Sequence, residues 1–334
     1  YGDHRDLHLS IRRQRQMCIR DRYMTIQSNT VLITGASRGL GANFSKVLAR
    51  DGFKIIGVGR NLQNLKSVIS SLPNQDLDHS YLELDITDEL QVQSMLNDLN
   101  IYALINNAGI LRDVIFHKMD PKDWTDVIDV HLNGSFYISR AAAPFFREQN
   151  SGSFVHMTST SGLIGNFGQA NYSAAKLGIA GLSKSISLDM KRFNVRSNCI
   201  APFAWSRMTN SIPSTTEQEK ARVERLKKMT PETNAPLAVY LSSEDAKDIT
   251  GQIFSSRLNE LFIYNQNRPV KSVHNSEGWN PQKIMEIAMP AFKPYLTPVS
   301  YTHLRAHETR EDLGLRVVRE KKKGGGGGGG GGGG

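Results

Sequence analysis

Hydrophobic and polar residues follow two alternating periods along the chain. Short apolar, β-branched runs, typical of buried strands, are separated by longer segments in which apolar residues recur every three or four positions, as on one face of a helix. We predict seven strands, at 30–35, 54–60, 80–85, 101–109, 152–159, 194–202 and 250–256. We predict helices at about 41–52, 61–72, 88–99, 122–148 and 171–193.

Strands that alternate with helices of ten or more residues are typical of βαβ units. Such units align parallel strands in one sheet and return the chain through right-handed crossovers. The pattern therefore predicts an α/β protein with a parallel sheet. The chain shows no internal repeat.

The first predicted strand and helix are joined by a glycine-rich turn, TGASRGLG, at residues 34–41. Gly35 permits a tight turn, whereas Gly39 and Gly41 permit close approach of a phosphate and close packing of helix on strand. The N-terminus of the next helix offers free N–H groups and the positive end of the helix dipole. The turn therefore predicts a pyrophosphate site, although its spacing, G-x-x-x-G-x-G, differs from the commoner G-x-G-x-x-G.

Both ends of the chain lack apolar periodicity and distort the overall composition. Residues 1–23 and 299–334 resemble translated sequencing adapters, and the terminal Lys and Gly runs resemble homopolymer read-through. We predict that both segments are non-native and disordered, and that 24–298 is one domain with a C-terminal extension from about 257. A genuine basic tail that binds nucleic acid is the alternative interpretation.

The net charge changes once these ends are set aside. The chain carries a formal +9, but each end contributes +3, which leaves +3 for residues 24–298. This small excess does not indicate a nucleic-acid partner. Cys199 is the one cysteine outside the ends, which excludes an internal disulfide and favours a reducing compartment. Since no run of about 18 apolar residues occurs and no signal peptide follows Met24, we predict a cytoplasmic protein without a membrane partner.

Tyr172 and Lys176 lie four residues apart in NYSAAK, so a helix places them one turn apart on one face. Such pairs also arise by chance on helix surfaces, and the pair alone does not establish a site. Three further features accompany it: the glycine-rich turn, NNAG at 106–109, and Ser159, thirteen residues before Tyr172.

Together with NCIAP at 198–202, these motifs resemble the short-chain dehydrogenase/reductase family in order and distance across about residues 28–256. The resemblance implies a doubly wound Rossmann fold, an α/β architecture with a parallel sheet of about seven strands and helices on both faces, and a nicotinamide cofactor. It also implies that Tyr172 is the catalytic acid/base, Lys176 its partner and Ser159 the hydrogen-bond donor to the substrate oxygen. Ser161 is a nearby rival that the thirteen-residue spacing disfavours.

The lysine gives the tyrosine a physical reason to act near neutral pH. A free tyrosine has a pKa of about 10, so a pKa of about 7 requires roughly 4 kcal/mol of differential stabilisation. An ammonium about 4 Å away supplies about 4 kcal/mol at an effective dielectric constant of about 20. Lys176 is therefore sufficient to make Tyr172 a useful proton donor and acceptor, with Ser159 holding the substrate oxygen in the transition state.

One position departs from the family pattern. The family's usual asparagine, found in a V-N-L context, is replaced by His131 in DVHLNG. Asn133 follows two residues later, and because two such helical residues differ by about 200°, it cannot simply substitute. We predict that His131 orders water beside Lys176; a packing histidine in a chain with a different relay is the alternative.

This departure narrows the resemblance. The segments VHLNGSF, GNFGQANYSAAKLG, IAPFAWSRMT and APLAVYLSSE resemble the D-3-hydroxyacyl-CoA dehydrogenase region of multifunctional enzyme type 2 and its stand-alone bacterial relatives. Residues 259–284 resemble the C-terminal extension of that bacterial group. The resemblance implies a 3-hydroxyacyl/3-oxoacyl thioester substrate, by relatedness and not by a coenzyme A motif.

The second predicted strand indicates which nicotinamide cofactor binds. An NAD site has an acidic residue at the end of this strand for the ribose 2′-hydroxyl, but Gly59 and Arg60 stand there, and Arg38 lies in the glycine-rich turn. Two guanidinium groups suit a 2′-phosphate, so we predict a preference for NADP(H), with NAD(H) as a second possibility. Solvated charges are the alternative interpretation. The resemblance adds Asp85 as an adenine contact, and the full predicted set is Gly35, Ser37, Arg38, Gly39, Leu40, Gly41, Arg60, Asp85, Asn107, Ala108, Gly109, Tyr172, Lys176, Pro202 and Ser206.

We therefore expect an NAD(P)(H)-dependent oxidoreductase that interconverts a secondary alcohol and a ketone on a small-molecule substrate. The family resemblance implies a homo-oligomer, a dimer or a tetramer. A 3-oxoacyl carrier-protein reductase or a general carbonyl reductase is the near alternative. A non-catalytic, cofactor-sensing protein is a different class, and the intact Ser159, Tyr172 and Lys176 argue against it. We predict no metal site.

Overall fold

The computed structural model describes residues 29–96, 99–203, 217, 224, 229–297 and 299. The chain divides into two compact units, one extending to Gln266 and the other starting at Asn267. Both predicted adapter-like segments lie outside the described residues, apart from Val299. Among the described residues, no helix combines the length and the apolar character that crossing a bilayer requires.

The described part of the first unit contains a single sheet of eight strands. These are β1 (Thr30–Thr34), β2 (Lys54–Gly59), β3 (Ser80–Glu83), β4 (Ala103–Asn106), β5 (Gly152–Met157), β6 (Val195–Ile200), β7 (Ile253–Arg257) and β8 (Glu260–Ile263). The strand order is β3-β2-β1-β4-β5-β6-β7-β8. Strands β1 to β7 pair in parallel, and β8 pairs antiparallel with β7. All seven predicted strands and the doubly wound Rossmann fold are confirmed.

Helices separate most of the strands along the chain. In the first unit they are α1 (Gly39–Arg50), α2 (Leu62–Ser70), α3 (Glu89–Leu96), α4 (Pro121–Ile128), α5 (Gly134–Glu148), α6 (Thr160–Ile164), α7 (Ala170–Asp189) and α8 (Ala235–Ser242). Short 3₁₀ turns occur at Gln75–Leu77, Phe116–Lys118, Lys191–Phe193, Pro231–Asn234 and Glu244–Ala246. In the second unit α9 (Pro281–Lys283), a π-helical segment (Ile284–Ala288), α10 (Met289–Phe292) and a 3₁₀ turn (Lys293–Tyr295) follow one another.

The core forms two layers because successive strand residues point to opposite faces of the sheet. On β1, Val31 and Ile33 pack in the layer that contains Phe44 of α1 and the apolar residues of α8. Leu32 packs in the opposite layer, with Phe146 of α5. The sheet is therefore covered on both faces, as the near-continuous apolar strands require.

Strand β8 was not predicted as a strand. Its connection to β7 is the two-residue turn Leu258–Asn259, in which Leu258 adopts φ +52°. That conformation favours glycine or asparagine, so the sequence carries no ordinary hairpin signal there. An ion pair between Arg257 and Glu260, 3.7 Å long, closes the hairpin. Residues 257–266, which we assigned to the C-terminal extension, thus include a sheet strand and belong to the first unit.

The predicted helix over 122–148 is interrupted. A π-helical segment at Asp129–Asn133, which we call the π segment, joins α4 to α5. The apolar pattern of α4 continues through the π segment into α5, so the sequence predicts one continuous helix. Such segments occur frequently at functional sites, and this one carries His131.

Candidate active site

The turn between β1 and α1 needs glycine for two different reasons. Gly35 and Gly39 have φ angles of +67° and +57°, which disfavour residues with a Cβ. At Gly41 the constraint is space, because a Cβ would lie 2.3 Å from the carbonyl oxygen of Gly35. A Cβ on Gly39 would meet nothing within 4 Å. The turn is therefore packed against protein atoms at Gly41, whereas the space beside Gly39 is unoccupied by protein atoms.

The N-terminus of α1 fits a pyrophosphate. Its first N–H groups have no partner within the helix, and its first turn contains no acidic residue. Arg38, at the N-cap, is exposed and makes no side-chain capping bond, while Ser37 and Leu40 are half-buried. The free N–H groups and the positive dipole end would bind the phosphates of a nicotinamide dinucleotide.

Thr34 fastens this turn to the end of β4, where the strand order reverses. Its hydroxyl oxygen accepts hydrogen bonds from the backbone N–H groups of Asn107 (2.9 Å) and Ala108 (3.0 Å). The side-chain amide of Asn107 donates in turn to the Thr34 carbonyl oxygen at 3.0 Å. The structure thus brings the NNAG motif and the glycine-rich turn together at the position where doubly wound sheets bind their ligands. We did not single out Thr34 from the sequence.

Arg60 and Asp85 meet beyond the ends of β2 and β3. The Arg60 guanidinium lies 3.4 Å from a carboxylate oxygen of Asp85, and 65% of the Arg60 side chain is exposed. The other carboxylate oxygen accepts hydrogen bonds from the backbone and hydroxyl of Thr87. Partial burial acts to raise the pKa of Asp85, but the Thr87 hydrogen bonds and Arg60 outweigh it and leave the pKa below its usual value. Asp85 is therefore a charged, oriented carboxylate beside the predicted ribose site.

Tyr172 and Lys176 lie one turn apart on α7, as predicted. The Lys176 Nζ atom is 5.6 Å from the centre of the Tyr172 ring. Ser159 follows β5 and is the N-cap of α6, where its Oγ atom accepts a 3.1 Å hydrogen bond from the backbone N–H of Ser161. Ser159 is half-buried, whereas Ser161 is only 7% exposed. This difference in access favours Ser159 over its rival.

Two hydrogen bonds anchor Lys176 to the carboxyl end of β5, and α6 packs closely on the other side of its backbone. Its ammonium donates to the Met157 carbonyl oxygen at 2.5 Å, and its own carbonyl oxygen accepts from the Thr158 hydroxyl at 2.6 Å. On α6, a Cβ at Gly162 would lie 2.8 Å from the Lys176 Cβ and 2.7 Å from the Leu177 nitrogen. Lys176 is 4% exposed, and burial lowers its pKa to about 7.

His131 sits in the π segment and faces two parts of the site. Its Nε2 atom lies 2.7 Å from the carbonyl oxygen of Ile110 and 3.1 Å from the Ile110 backbone nitrogen. Its ring makes a T-shaped contact with Tyr172, with ring centres 5.1 Å apart. Burial and, secondarily, the Lys176 charge lower the pKa of His131 to about 3, so it is neutral near pH 7. Asn133 donates instead to Asp129, within the π segment, at 2.7 Å.

A second buried histidine was missed by the sequence analysis. His156 on β5 is fully buried, and its Nδ1 atom lies 3.1 Å from the side-chain amide nitrogen of Asn106. Burial and the Lys176 charge lower its pKa to about 3. Cys199 lies opposite His156 on the neighbouring strand β6, and burial raises the pKa of the Cys199 thiol to about 11. A histidine inside an apolar strand run was the available signal for this buried polar group.

A cavity of about 330 Å³ lies beside the start of α7. It is bounded by the segment after β4, by the loop that precedes α7, and by Ser173, the residue next to Tyr172. Its lining residues are Ile115, Phe116, Gly165, Asn166, Phe167, Gly168, Ala170 and Ser173. The side chains of Phe116 and Phe167 are 75% and 83% exposed. The cavity thus offers apolar surface close to the candidate relay.

The remaining predicted contacts follow the ends of the strands. Gly109 lies beyond β4 against the His131 ring, and Pro202 follows β6 and is half-buried. Ser206 lies outside the described residues. The described part of the predicted site is thus assembled at the carboxyl edge of the parallel sheet.

Known proteins resemble the chain in sequence. The sequence profile of the short chain dehydrogenase family matches residues 29–219. A protein of Mycobacterium tuberculosis named as a short-chain type dehydrogenase/reductase is 35% identical over 237 residues, covering 67% of this chain and 80% of that protein. The 3-oxoacyl-[acyl-carrier-protein] reductase of Thermotoga maritima is 31% identical, covering 69% of this chain and 96% of that protein.

Two further matches extend the comparison. The mouse peroxisomal multifunctional enzyme type 2 is 34% identical over 68% of this chain, which spans only 31% of that enzyme. The crystal structure of a short chain dehydrogenase from Mycobacterium avium superposes with a TM-score of 0.68 at 26% identity, covering 81% of this chain and 97% of that one. The chain therefore belongs to the short-chain dehydrogenase/reductase family of oxidoreductases.

Proposed function

We propose that this protein interconverts a 3-oxoacyl and a 3-hydroxyacyl thioester, with NADP(H) as its preferred cofactor. The family binds NAD(P) in general, and the N-terminus of α1 fits the pyrophosphate of either dinucleotide. The observation that carries the proposal is the placement of Tyr172 beside a buried, anchored Lys176 at the carboxyl edge of the sheet. A cofactor-sensing protein has no need of such a pair.

The three relay residues have distinct tasks in the proposed reduction. A reduced nicotinamide, once bound, would supply the hydride for the carbonyl carbon. The Tyr172 hydroxyl gives its proton to the carbonyl oxygen, while the Ser159 hydroxyl donates a hydrogen bond that holds this oxygen. Lys176 stabilises the tyrosinate that remains. Because the pKa of Lys176 is about 7, it can also return a proton to Tyr172 near neutral pH.

The thioester substrate is supported by relatives and by the cavity. The relatives include an acyl-carrier-protein reductase and a peroxisomal multifunctional enzyme. The cavity beside α7, about 330 Å³ and largely apolar in its lining, lies within the size range of small-molecule sites. An apolar acyl chain is a suitable occupant, whereas a small polar ketone would leave this surface unused.

The NADP(H) preference rests on Arg60 and Arg38. The ion pair of Arg60 with Asp85 is exposed and therefore contributes at most about 1 kcal/mol. Arg60 can turn from Asp85 to a 2′-phosphate at small cost, and the exposed Arg38 lies in the glycine-rich turn on the same edge. We also propose a cytoplasmic location and a homo-oligomer, supported by the single buried cysteine of the described residues and by family resemblance.

Reduced nicotinamide absorbance tests the proposal directly. Acetoacetyl-CoA, longer 3-oxoacyl-CoAs and simple ketones are each assayed with NADPH and NADH. We expect turnover of the thioesters with NADPH, and a fall in kcat of at least about 100-fold in Tyr172→Phe with unchanged cofactor affinity. Tyr240→Phe, at an exposed tyrosine of α8, is the control. No turnover of any thioester, or an active Tyr172→Phe variant, would contradict the proposal.

A further inference from the structure

We propose that Asn171 is a positioning residue, which fixes the start of α7 and thereby the place of Tyr172 in the relay. This rests on the proposed function, since that function gives Tyr172 its catalytic role. Two observations carry it: the Asn171 side chain makes three hydrogen bonds, and the N-cap residue of α7 makes no side-chain capping bond. The sequence analysis did not single out Asn171.

The amide group of Asn171 joins three segments of the first unit. Its nitrogen donates hydrogen bonds of 3.0 Å to two backbone carbonyl oxygens, that of Arg112 in the segment after β4 and that of Asp123 in α4. Its oxygen accepts from a backbone N–H of α7, so the partners define which way the amide points. Asn171 is fully buried, and a side chain without two donors would leave these carbonyl oxygens short of partners. The position therefore suits an asparagine.

The oxygen of this amide caps α7 at the proposed catalytic residue. The first N–H groups of a helix have no acceptor within it, and the N-cap residue Gln169 makes no side-chain capping bond. The Asn171 Oδ1 atom instead accepts from the Tyr172 N–H at 2.7 Å. This bond therefore acts on the backbone that carries the phenol.

Tyr172 thus lies between two fixed points on α7. On its C-terminal side, Lys176 is bound to the end of β5. On its N-terminal side, Asn171 is bound to the segment after β4 and to α4. A helix held at Lys176 alone is free to tilt about that point. Because a misplacement of about 1 Å is enough to slow a reaction about 100-fold, we expect the second fixed point to matter for kcat.

Further hydrogen bonds join the segment after β4 to the loop before α7. The Gln169 side chain donates to the Asp113 carboxylate at 2.7 Å, and the Val114 N–H donates to the Gly168 carbonyl oxygen at 2.9 Å. The pair of side chains is exposed, so water competes for its hydrogen bond. The bonds of the fully buried Asn171 are shielded from this competition and are therefore the ones expected to set the position of the helix.

A buried asparagine elsewhere in the sheet provides a matched control. Asn198 on β6 is also fully buried, donates to the Ile249 carbonyl oxygen at 2.8 Å and accepts from the Gln252 N–H at 3.1 Å. Asn171→Ala and Asn198→Ala should therefore both lower Tm. Asn171→Ala alone should lower kcat about tenfold or more, with the KM of the thioester and the Kd of NADPH within about threefold. A purely structural Asn171 would lower Tm and leave kcat as Asn198→Ala does.

A fluorine signal reports the place of the phenol without turnover. The protein is labelled with 3-fluorotyrosine, and the Tyr172 resonance is identified by its loss in Tyr172→Phe. This resonance should shift or broaden in Asn171→Ala and stay unchanged in Asn198→Ala. Asn171→Ser is a second variant in case Asn171→Ala folds poorly, because its hydroxyl suits a helix start but is too short to reach both carbonyl oxygens. It should give the same change of the resonance and a smaller loss of Tm.

The outcomes separate this inference from the proposed function. A displaced Tyr172 resonance together with a lower kcat would support the inference. An unchanged resonance or an unchanged kcat in a folded variant at position 171 would overturn it, as would failure of both variants to fold while Asn198→Ala folds. If no thioester is turned over by the unaltered chain, the proposed function fails, and the fluorine resonance alone decides whether Asn171 positions Tyr172.

Discussion

Lys176 is the residue whose chemistry the fold changes most. Its ammonium is buried and is held by the Met157 carbonyl oxygen, and burial lowers its pKa. A lysine in such a place loses hydration that one hydrogen bond does not replace. Lys176, which we propose prepares Tyr172 for catalysis, is therefore expected to reduce the stability of the protein, as is common for functional residues.

Replacing Lys176 with methionine should increase stability and abolish activity. The pKa of Lys176 falls from 10.5 to about 7 on folding, so between these values the unfolded chain binds more protons than the folded one. The penalty is thus largest below about pH 7, where it reaches about 5 kcal/mol, and vanishes above about pH 10.5. The gain in free energy of unfolding should be larger at about pH 6 than at about pH 9.5, measured by urea denaturation.

Lys66→Met, at an exposed lysine of α2, is the control for this comparison. It should change stability little and show no such pH dependence. A Lys176→Met variant that is destabilised at both pH values, or stabilised more at high pH, would show that burial of the ammonium is not the dominant effect.

Arg60 determines cofactor choice in our proposal. Arg60→Ala should weaken NADPH about ten- to a hundredfold, since a hydrogen bond to a charged group contributes about 1.5–3 kcal/mol. The Asp85 carboxylate, no longer paired, would add repulsion of the 2′-phosphate. NADH should bind almost unchanged, as measured by titration of both cofactors. Arg50→Ala, at the other end of α1, is the control; equal losses for NADPH and NADH would remove the case for an NADP site.

Single residues also show where sequence reasoning ends. The spacing of Ser159, Tyr172 and Lys176 is local and could be read directly. The hydroxyl of Thr34 holds residues 73 and 74 positions away, and nothing in the local pattern indicates those partners. The burial of Lys176 could not be predicted from the sequence either, because it depends on contacts with the end of β5 and with α6. Local chemistry could be predicted, but long-range contacts could not.

At the scale of elements, the contact between α6 and α7 sets the position of the relay. Helix α6 is one short turn after Ser159, and Gly162 brings it against the α7 backbone at Lys176. Any side chain at this position would push the two helices apart. Ser159 precedes α6, while Tyr172 and Lys176 lie on α7. That separation would therefore move Ser159 away from the other two residues of the proposed relay.

Gly162→Ala should therefore lower both Tm and kcat. The added Cβ would meet the Leu177 nitrogen at 2.7 Å, and backbone cannot move aside as a flexible side chain could. Gly181→Ala on α7 is the matched control, because its Cβ would meet nothing within 4 Å. That change should increase stability by about 0.5–1 kcal/mol through helix propensity. Thermal melts and initial rates of both variants test the contact, and an innocuous Gly162→Ala would contradict it.

Elements were predictable in proportion to the strength of their periodicity. The seven parallel strands are bounded by turns or helices, and each was placed within a few residues of its observed ends. Strand β8 is an exposed edge strand behind a turn without glycine, and it was missed. The π segment was missed because the apolar pattern of α4 continues into α5. These misses concern one edge of the sheet and the element that carries His131.

At the scale of the whole molecule, the first unit contains the complete described site. The sheet ends with β8, and the side chain of Gln266, the final residue of this unit, donates to the Gly251 carbonyl oxygen at 3.0 Å. The glycine-rich turn, Arg60 and the relay residues all precede this boundary. The described residues that we propose to bind the cofactor therefore all precede Asn267.

A chain of residues 24–266 should consequently fold and bind NADPH. We expect one cooperative unfolding transition and an NADPH affinity within about threefold of the full chain, because the core layers and the α1 N-terminus are retained. A chain of residues 24–298 is the matched control, and it also tests our prediction that 1–23 and 299–334 add no core; its Tm should lie within a few degrees of the full chain. Comparing the two truncations by calorimetry and cofactor titration isolates residues 267–298. If 24–298 behaves as the full chain but 24–266 loses cooperativity or NADPH affinity, the second unit supports the first, and the site is not self-sufficient.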